Sequence, residues 1–200
     1  LNLEANETEE QQFILGYLPE NFQWSYAIGA VWKHFRNQGY DTWVVSRNYL
    51  HNEALKYQDN IMEEEFLNQN YNSDEIENKF RYEHTSRYKK GLKVNYGANL
   101  EYAKFYAKNY SKIYVLDQPV TLDNVSSFDM FKWGLFGQVS KDLLEDRLVL
   151  SFGLRADANN YNDNMSNLLN QLSPRLSASY LLTTGWYLNF NIGRFYQEPS

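Results

Sequence analysis

The chain has 200 residues, with 19 Lys and Arg against 25 Asp and Glu, a net charge of −6 and a mean hydropathy of −0.65. A nucleic-acid-binding domain needs a basic face, so the acidic balance argues against one, and no apolar run of about 18 residues occurs, which excludes a transmembrane helix. Cysteine is absent, which removes disulfide frameworks, CxxC zinc sites and thiol nucleophiles together, while aromatics reach 17%.

Residues 1–21 are acidic and poorly patterned and read as the tail of a long loop. With no initiator Met, no signal-peptide pattern and a last strand that runs into Pro199-Ser200, the chain is expected to be an excerpt of a longer protein. Period-2 alternation then dominates, and helical periodicity is scarce. Over 22–36, Trp24, Tyr26, Ile28, Ala30 and Trp32 oppose Gln23, Ser25, Ala27, Gly29 and Lys33. Over 40–51 the composition is Trp-, Val- and Tyr-rich but the alternation is blurred. Over 75–85, Ile76, Phe80 and Tyr82 oppose a charged row of Glu75, Glu77, Lys79, Arg81 and Glu83. The cleanest strand is 91–106: Leu92, Val94, Tyr96, Ala98, Leu100 and Tyr102 alternate with Lys93, Asn95, Gly97, Asn99 and Glu101. Over 128–141, Phe131, Trp133, Leu135 and Val139 oppose Lys132, Gln138 and Ser140. Over 147–157, Leu148, Leu150, Phe152, Leu154 and Ala156 oppose Ser151, Gly153, Arg155 and Asp157. Strands over 174–182 and 186–196 complete an all-β, antiparallel meander of about eight.

The connections carry more information than the strands. Asn37-Gln38-Gly39 is short, with Gly39 expected to supply a positive φ. The stretches 86–90, 142–146 and 183–185 are short as well, whereas 53–74, 108–125 and 159–172 are long. Short and long alternate along the chain. That rhythm, with one apolar and one polar row per strand, is the signature of an outer-membrane β-barrel with short turns on one rim and long loops on the other. Every backbone polar group of a spanning segment must be paired inside lipid, which leaves helices and closed barrels. Trp24, Trp32, Trp133 and Trp186 are expected near strand ends, as an interfacial aromatic girdle.

At the C-terminal end, Gly153-Leu154-Arg155-Ala156-Asp157, Ser173-Pro174-Arg175-Leu176-Ser177-Ala178-Ser179-Tyr180, Trp186 to Phe190 and Gly193-Arg194-Phe195-Tyr196-Gln197-Glu198-Pro199 follow in order. This series resembles the barrel of a TonB-dependent outer-membrane receptor, closely over 150–199 and by strand rhythm alone over 22–140. The resemblance implies a piece of a large plugged barrel in the cell outer membrane of a Gram-negative bacterium. It implies energy-coupled uptake of a scarce nutrient (siderophore, vitamin or glycan). The partners it implies are outer-membrane lipid, a TonB-type coupling protein acting through a plug not contained in this chain, the small nutrient and a surface lipoprotein. No nucleic acid and no cofactor is implied. The departures from the family are the lack of a plug, of a TonB-box segment and of a terminal aromatic strand.

Candidate lumen-facing polar residues are Lys93, Asn95, Asn99, Glu101, Lys132, Gln138, Arg155, Asp157 and Arg175. The last three are expected to form an ion-pair network. Tyr71, Tyr106, Tyr110, Tyr114 and Tyr161 are candidate ligand contacts in loops, because Tyr supplies contact area at low entropic cost. His34, His51 and His84 lack metal-ligand spacing, and His34 and His84 are expected in water near strand ends. No GxSxG, P-loop or HExxH occurs, and no Ser/His/acid arrangement is expected on adjacent strands, so catalytic residues are none and the chain is read as a non-enzyme. The alternatives are a soluble β-barrel or sandwich that binds a ligand, and an outer-membrane barrel enzyme.

Overall fold

The structure, a computed structural model, describes residues 8–58, 61–116 and 118–196. One short helix, α1 (Glu9–Tyr17), precedes eight strands: β1 (Glu20–Arg36), β2 (Gly39–Tyr57), β3 (Leu67–Tyr88), β4 (Leu92–Val115), β5 (Gln118–Leu143), β6 (Leu148–Asn159), β7 (Leu172–Thr183) and β8 (Trp186–Gly193). They form one antiparallel meander in the order β1 to β8. The all-β expectation holds, and no helix among the described residues is long and apolar enough to cross a membrane.

Three local expectations are corrected. The stretch expected to be only a loop tail contains α1, started by a capping box: Gln11 N donates to Thr8 Oγ1 at 3.2 Å and Thr8 N to Gln11 Oε1 at 3.2 Å. Gly39 opens β2 without a positive φ. Glycine is needed there because a Cβ would collide with the Thr85 carbonyl. The long connection expected over 108–125 is mostly strand, since β4 runs to Val115 and β5 begins at Gln118. Tyr and Lys alternate along β4 at every second residue through this stretch, so polarity concealed a regular strand.

Two compact units make up the chain: Leu1–Ala27, Asn48–Glu77 and Ala103–Asp129, and Ile28–Arg47, Asn78–Tyr102 and Met130–Ser200. In the first, the long-connection ends of the strands carry an aromatic group. The Tyr26 and Tyr49 rings stack at 5.4 Å, with Trp24 4.8 Å from Tyr49. Tyr49 Oη and His51 Nδ1 both reach Asp74 Oδ1, at 2.6 and 2.9 Å.

The second unit holds the four turns expected to be short from the sequence, and backbone bonds tie each to the next. Arg87 N donates to Gln38 O at 2.7 Å, Asp142 N to Gly91 O at 2.9 Å, and Leu181 N to Arg147 O at 2.8 Å. The four turns therefore share one rim, as the alternation predicts.

Register fixes the faces there. Val139 pairs with Phe152, Phe152 with Leu176 and Leu176 with Ile192. One residue on, Ser140 pairs with Ser151, Ser151 with Ser177 and Ser177 with Asn191. Cross-strand neighbours share a face, so one face is apolar across four strands and the other is polar. The apolar row is not a core: its four residues are 45%, 55%, 45% and 60% exposed. Among the described residues the buried apolar side chains are Ala107, Met130 and Ala158, against seven buried polar ones that include Asp41, Thr85 and Asn159. A water-soluble sandwich hides its apolar face behind a second layer. Here the burial is inverted, and the soluble-module alternative loses its physical basis.

Candidate functional site

The polar face of the second unit gathers most of the residues singled out from the sequence. The odd positions of β3 and β4 meet across the strand pair: Arg81 Nη2 lies 2.7 Å from Glu83 Oε2, and Asn95 Nδ2 donates to Glu83 Oε1 at 2.6 Å and Thr85 Oγ1 at 2.9 Å. Glu101 stands between two ammonium groups, 3.1 Å from Lys132 Nζ and 3.6 Å from Lys79 Nζ. Gln138 Nε2 donates to Ser140 Oγ at 3.2 Å, and Ser151 Oγ to Ser140 Oγ at 2.8 Å. Arg155 grips Asp157 with two N–H groups, at 2.6 and 2.8 Å.

Gly134 lies opposite Asp157 in register, and a Cβ there would strike the Asp157 carboxylate. Asn99 Oδ1 closes the same spot, buried and without a hydrogen-bond partner. Lys93 is exposed on this face. Arg175 departs from the expected network. Its guanidinium lies over the Phe195 ring, 4.8 Å from the centroid, instead of joining Arg155 and Asp157.

The tyrosine expectation changes more. Tyr71 lies in β3, and Tyr106, Tyr110 and Tyr114 lie in β4; of the five, Tyr161 alone stands in a loop. Spacing of four on a strand puts the β4 tyrosines on one face. Trp133 is mid-strand in β5, away from the end position expected for a girdle residue, whereas Trp32 and Trp43 stack at 4.5 Å near the short-turn ends of β1 and β2.

A cluster missed from the sequence surrounds Asp41. Its side chain is fully covered, and His84 is 15% exposed, so His84 is not in water. Arg36 Nε lies 2.5 Å from Asp41 Oδ2, while His84 Nδ1 and Tyr82 Oη reach Asp41 Oδ1 at 2.6 and 3.0 Å. Ser86 Oγ is 2.6 Å from His84 Nε2. Ser86, His84 and Asp41 thus stand in the order of a Ser–His–acid relay on two adjacent strands, contrary to the expectation that none exists. The electrostatics differ from that of a hydrolase. A relay carboxylate must stabilise an imidazolium, and Asp41 already neutralises a guanidinium. The arrangement is a clasp that ties β1, β2 and β3 near their short turns. The signal for it in the sequence is weak: Asp41 is one acidic residue inside an apolar run.

The sequence profile of the family described as TonB dependent receptor-like, beta-barrel matches residues 2–200. No curated protein matches the chain. Among solved structures, the copper transporter OprC is similar over 92% of this chain and 32% of its own, with a TM-score of 0.64 and 16% identity. The ferric-catecholate import receptor Fiu of E. coli K12 is 11% identical over 87% of this chain and 36% of its own, at a TM-score of 0.45. The chain spans about a third of the length of each. OprC supports the fold alone, and the profile match over essentially the whole chain sets the family. With its meander and its opposed apolar and polar rows, the chain belongs to the TonB-dependent receptor-like β-barrels, a family of outer-membrane receptors and transporters rather than enzymes.

Proposed function

We propose that these eight strands are a stretch of wall of an outer-membrane receptor for energy-coupled uptake of a scarce nutrient. The apolar row lies against lipid and the polar row faces a lumen that encloses a plug. A TonB-type protein supplies energy through that plug, the nutrient being a siderophore, a vitamin or a glycan. A surface lipoprotein is a further partner at the long-loop side. In this reading Lys93, Asn95, Asn99, Glu101, Lys132, Gln138, Arg155, Asp157 and Arg175 line the solute path. Tyr71, Tyr106, Tyr110, Tyr114 and Tyr161 are contact surface for the nutrient or for the glycolipid around the barrel.

The observation that carries the proposal is the in-register opposition of Val139, Phe152, Leu176 and Ile192 to Ser140, Ser151, Ser177 and Asn191. Lipid on one side and water on the other produce that pattern in a strand of low mean hydropathy. Leu150 and Ser151 are adjacent in β6 and lie on opposite faces. In the full receptor reconstituted into bilayers, a fluorophore at position 150 is quenched by a brominated acyl chain and one at 151 is not. Equal quenching at both positions, or none at either, defeats the lipid-facing assignment.

A further inference from the structure

Arg175 differs from three other cations of the polar face. Arg81, Lys132 and Arg155 each sit against a carboxylate, at 2.7, 3.1 and 2.6 Å. The described partner of Arg175 is a ring face. Stacking covers one plane of a guanidinium and leaves its in-plane N–H groups directed outward, the geometry that matches two oxygens of one oxyanion.

Register explains why there is room for such a group. Arg175 pairs with Gly153 on one side and Gly193 on the other. A Cβ at 193 would stand only 3.2 Å from Arg175 Cγ, and a side chain at 153 would extend from a Cβ 3.9 Å from Arg175 Cβ. With hydrogens there, a cleft of about 330 Å³ opens around it. Gln138, Ser151, Ser177 and Asn191 line the cleft with hydroxyl and amide groups, and among the described residues Arg175 is the one charged residue in its lining. One guanidinium, neutral polar groups from β5, β6, β7 and β8, and no carboxylate among the described lining residues together favour an anion. The site is reachable, since Arg175 and Asn191 are both exposed, and it lies three residues into β7 from the 160–171 connection.

We propose that the Arg175 cleft binds an oxyanion, a carboxylate or phosphate group carried by the solute taken up. The proposal deepens the uptake reading, on which it rests for the identity of the solute, while the anion site itself can be tested in detergent without uptake. The cation and the space make separate contributions: Arg175 supplies the fork, and Gly153 and Gly193 supply the volume.

The experiment is equilibrium dialysis of the full-length receptor in neutral detergent at low salt, with radiolabelled inorganic phosphate in one arm and radiolabelled citrate in the other. Wild type is expected to bind at least one of them saturably. Arg175→Gln should weaken that binding by about tenfold or more, the loss of a charge-assisted pair, and Arg175→Lys should recover part of it. Gly153→Leu fills the cleft without changing charge and should abolish binding; heat-modifiable electrophoretic mobility shows which variants have folded, and the arginine variants decide the matter if Gly153→Leu has not. Absence of saturable binding to wild type in both arms overturns the proposal, as does binding that is unchanged in Arg175→Gln. If the lipid quencher reaches position 151, the uptake reading fails while the dialysis still decides the anion site.

Discussion

Asp41 shows how a single carboxylate can hold a rim together without an apolar core. It is covered by the groups that bond it: Arg36 from β1, and Tyr82 and His84 from β3. Removing it leaves a guanidinium, an imidazole and a phenol without their shared acceptor, and an orphaned polar group costs more than the bond alone. Ser86 makes one bond, to the far nitrogen of His84. Unfolding of the full receptor in urea should therefore rank the variants: Asp41→Ala loses most, His84→Ala less, and Ser86→Ala least. Equal loss for Asp41→Ala and Ser86→Ala would show that the cluster has no hub. A serine nucleophile would leave a different trace, a change in ester hydrolysis on Ser86→Ala with stability unchanged.

At the scale of the element, the strands are shaped by what fits between them as much as by propensity. On β4, a Cβ at Gly97 would collide with the Tyr82 carbonyl of β3 and lie 2.6 Å from the Phe136 ring edge. The Arg81 guanidinium rests on that same ring, 4.7 Å from its centroid. Backbone cannot retreat the way a side-chain tip can. Gly97→Ala should destabilise the full receptor by about 1–3 kcal/mol, the usual range for overpacking. Gly137→Ala, whose nearest neighbours stand at 4.0 Å, should be neutral within experimental error. The check is equilibrium unfolding of both variants side by side, and similar losses would remove the close approach as the reason for glycine at 97.

For the whole molecule, the strand order puts β1 and β8 at the two ends of the sheet. Neither has a second described neighbour, and every residue of β1 and β8 is exposed. An uncovered strand edge is a template for pairing with another chain. The 200-residue stretch produced alone in detergent should self-associate, and analytical ultracentrifugation should show oligomers where the full receptor gives a monomer. A monomeric excised stretch would mean that these edges are protected by means other than pairing.

Much of this protein is decided by local chemistry and is readable without coordinates. Alternation along Leu92 to Tyr102 and Leu148 to Asp157 determines strand and face at once, because successive side chains on a strand must point to opposite sides. The short turns follow from the same rhythm, and so does the membership that the Gly153 to Asp157 and Ser173 to Tyr180 stretches suggest. The helix start at Thr8 and Gln11 is equally local, but reading 1–21 as a loop tail missed it. What only the tertiary structure decided depends on pairing between strands distant in sequence. Asp41 finds His84, Arg175 finds two glycines and the Phe195 ring, and Tyr106, Tyr110 and Tyr114 turn out to share one strand face. Composition names the residues available to each strand, but register chooses which of them meet. A shift of one residue would exchange every neighbour across a strand pair.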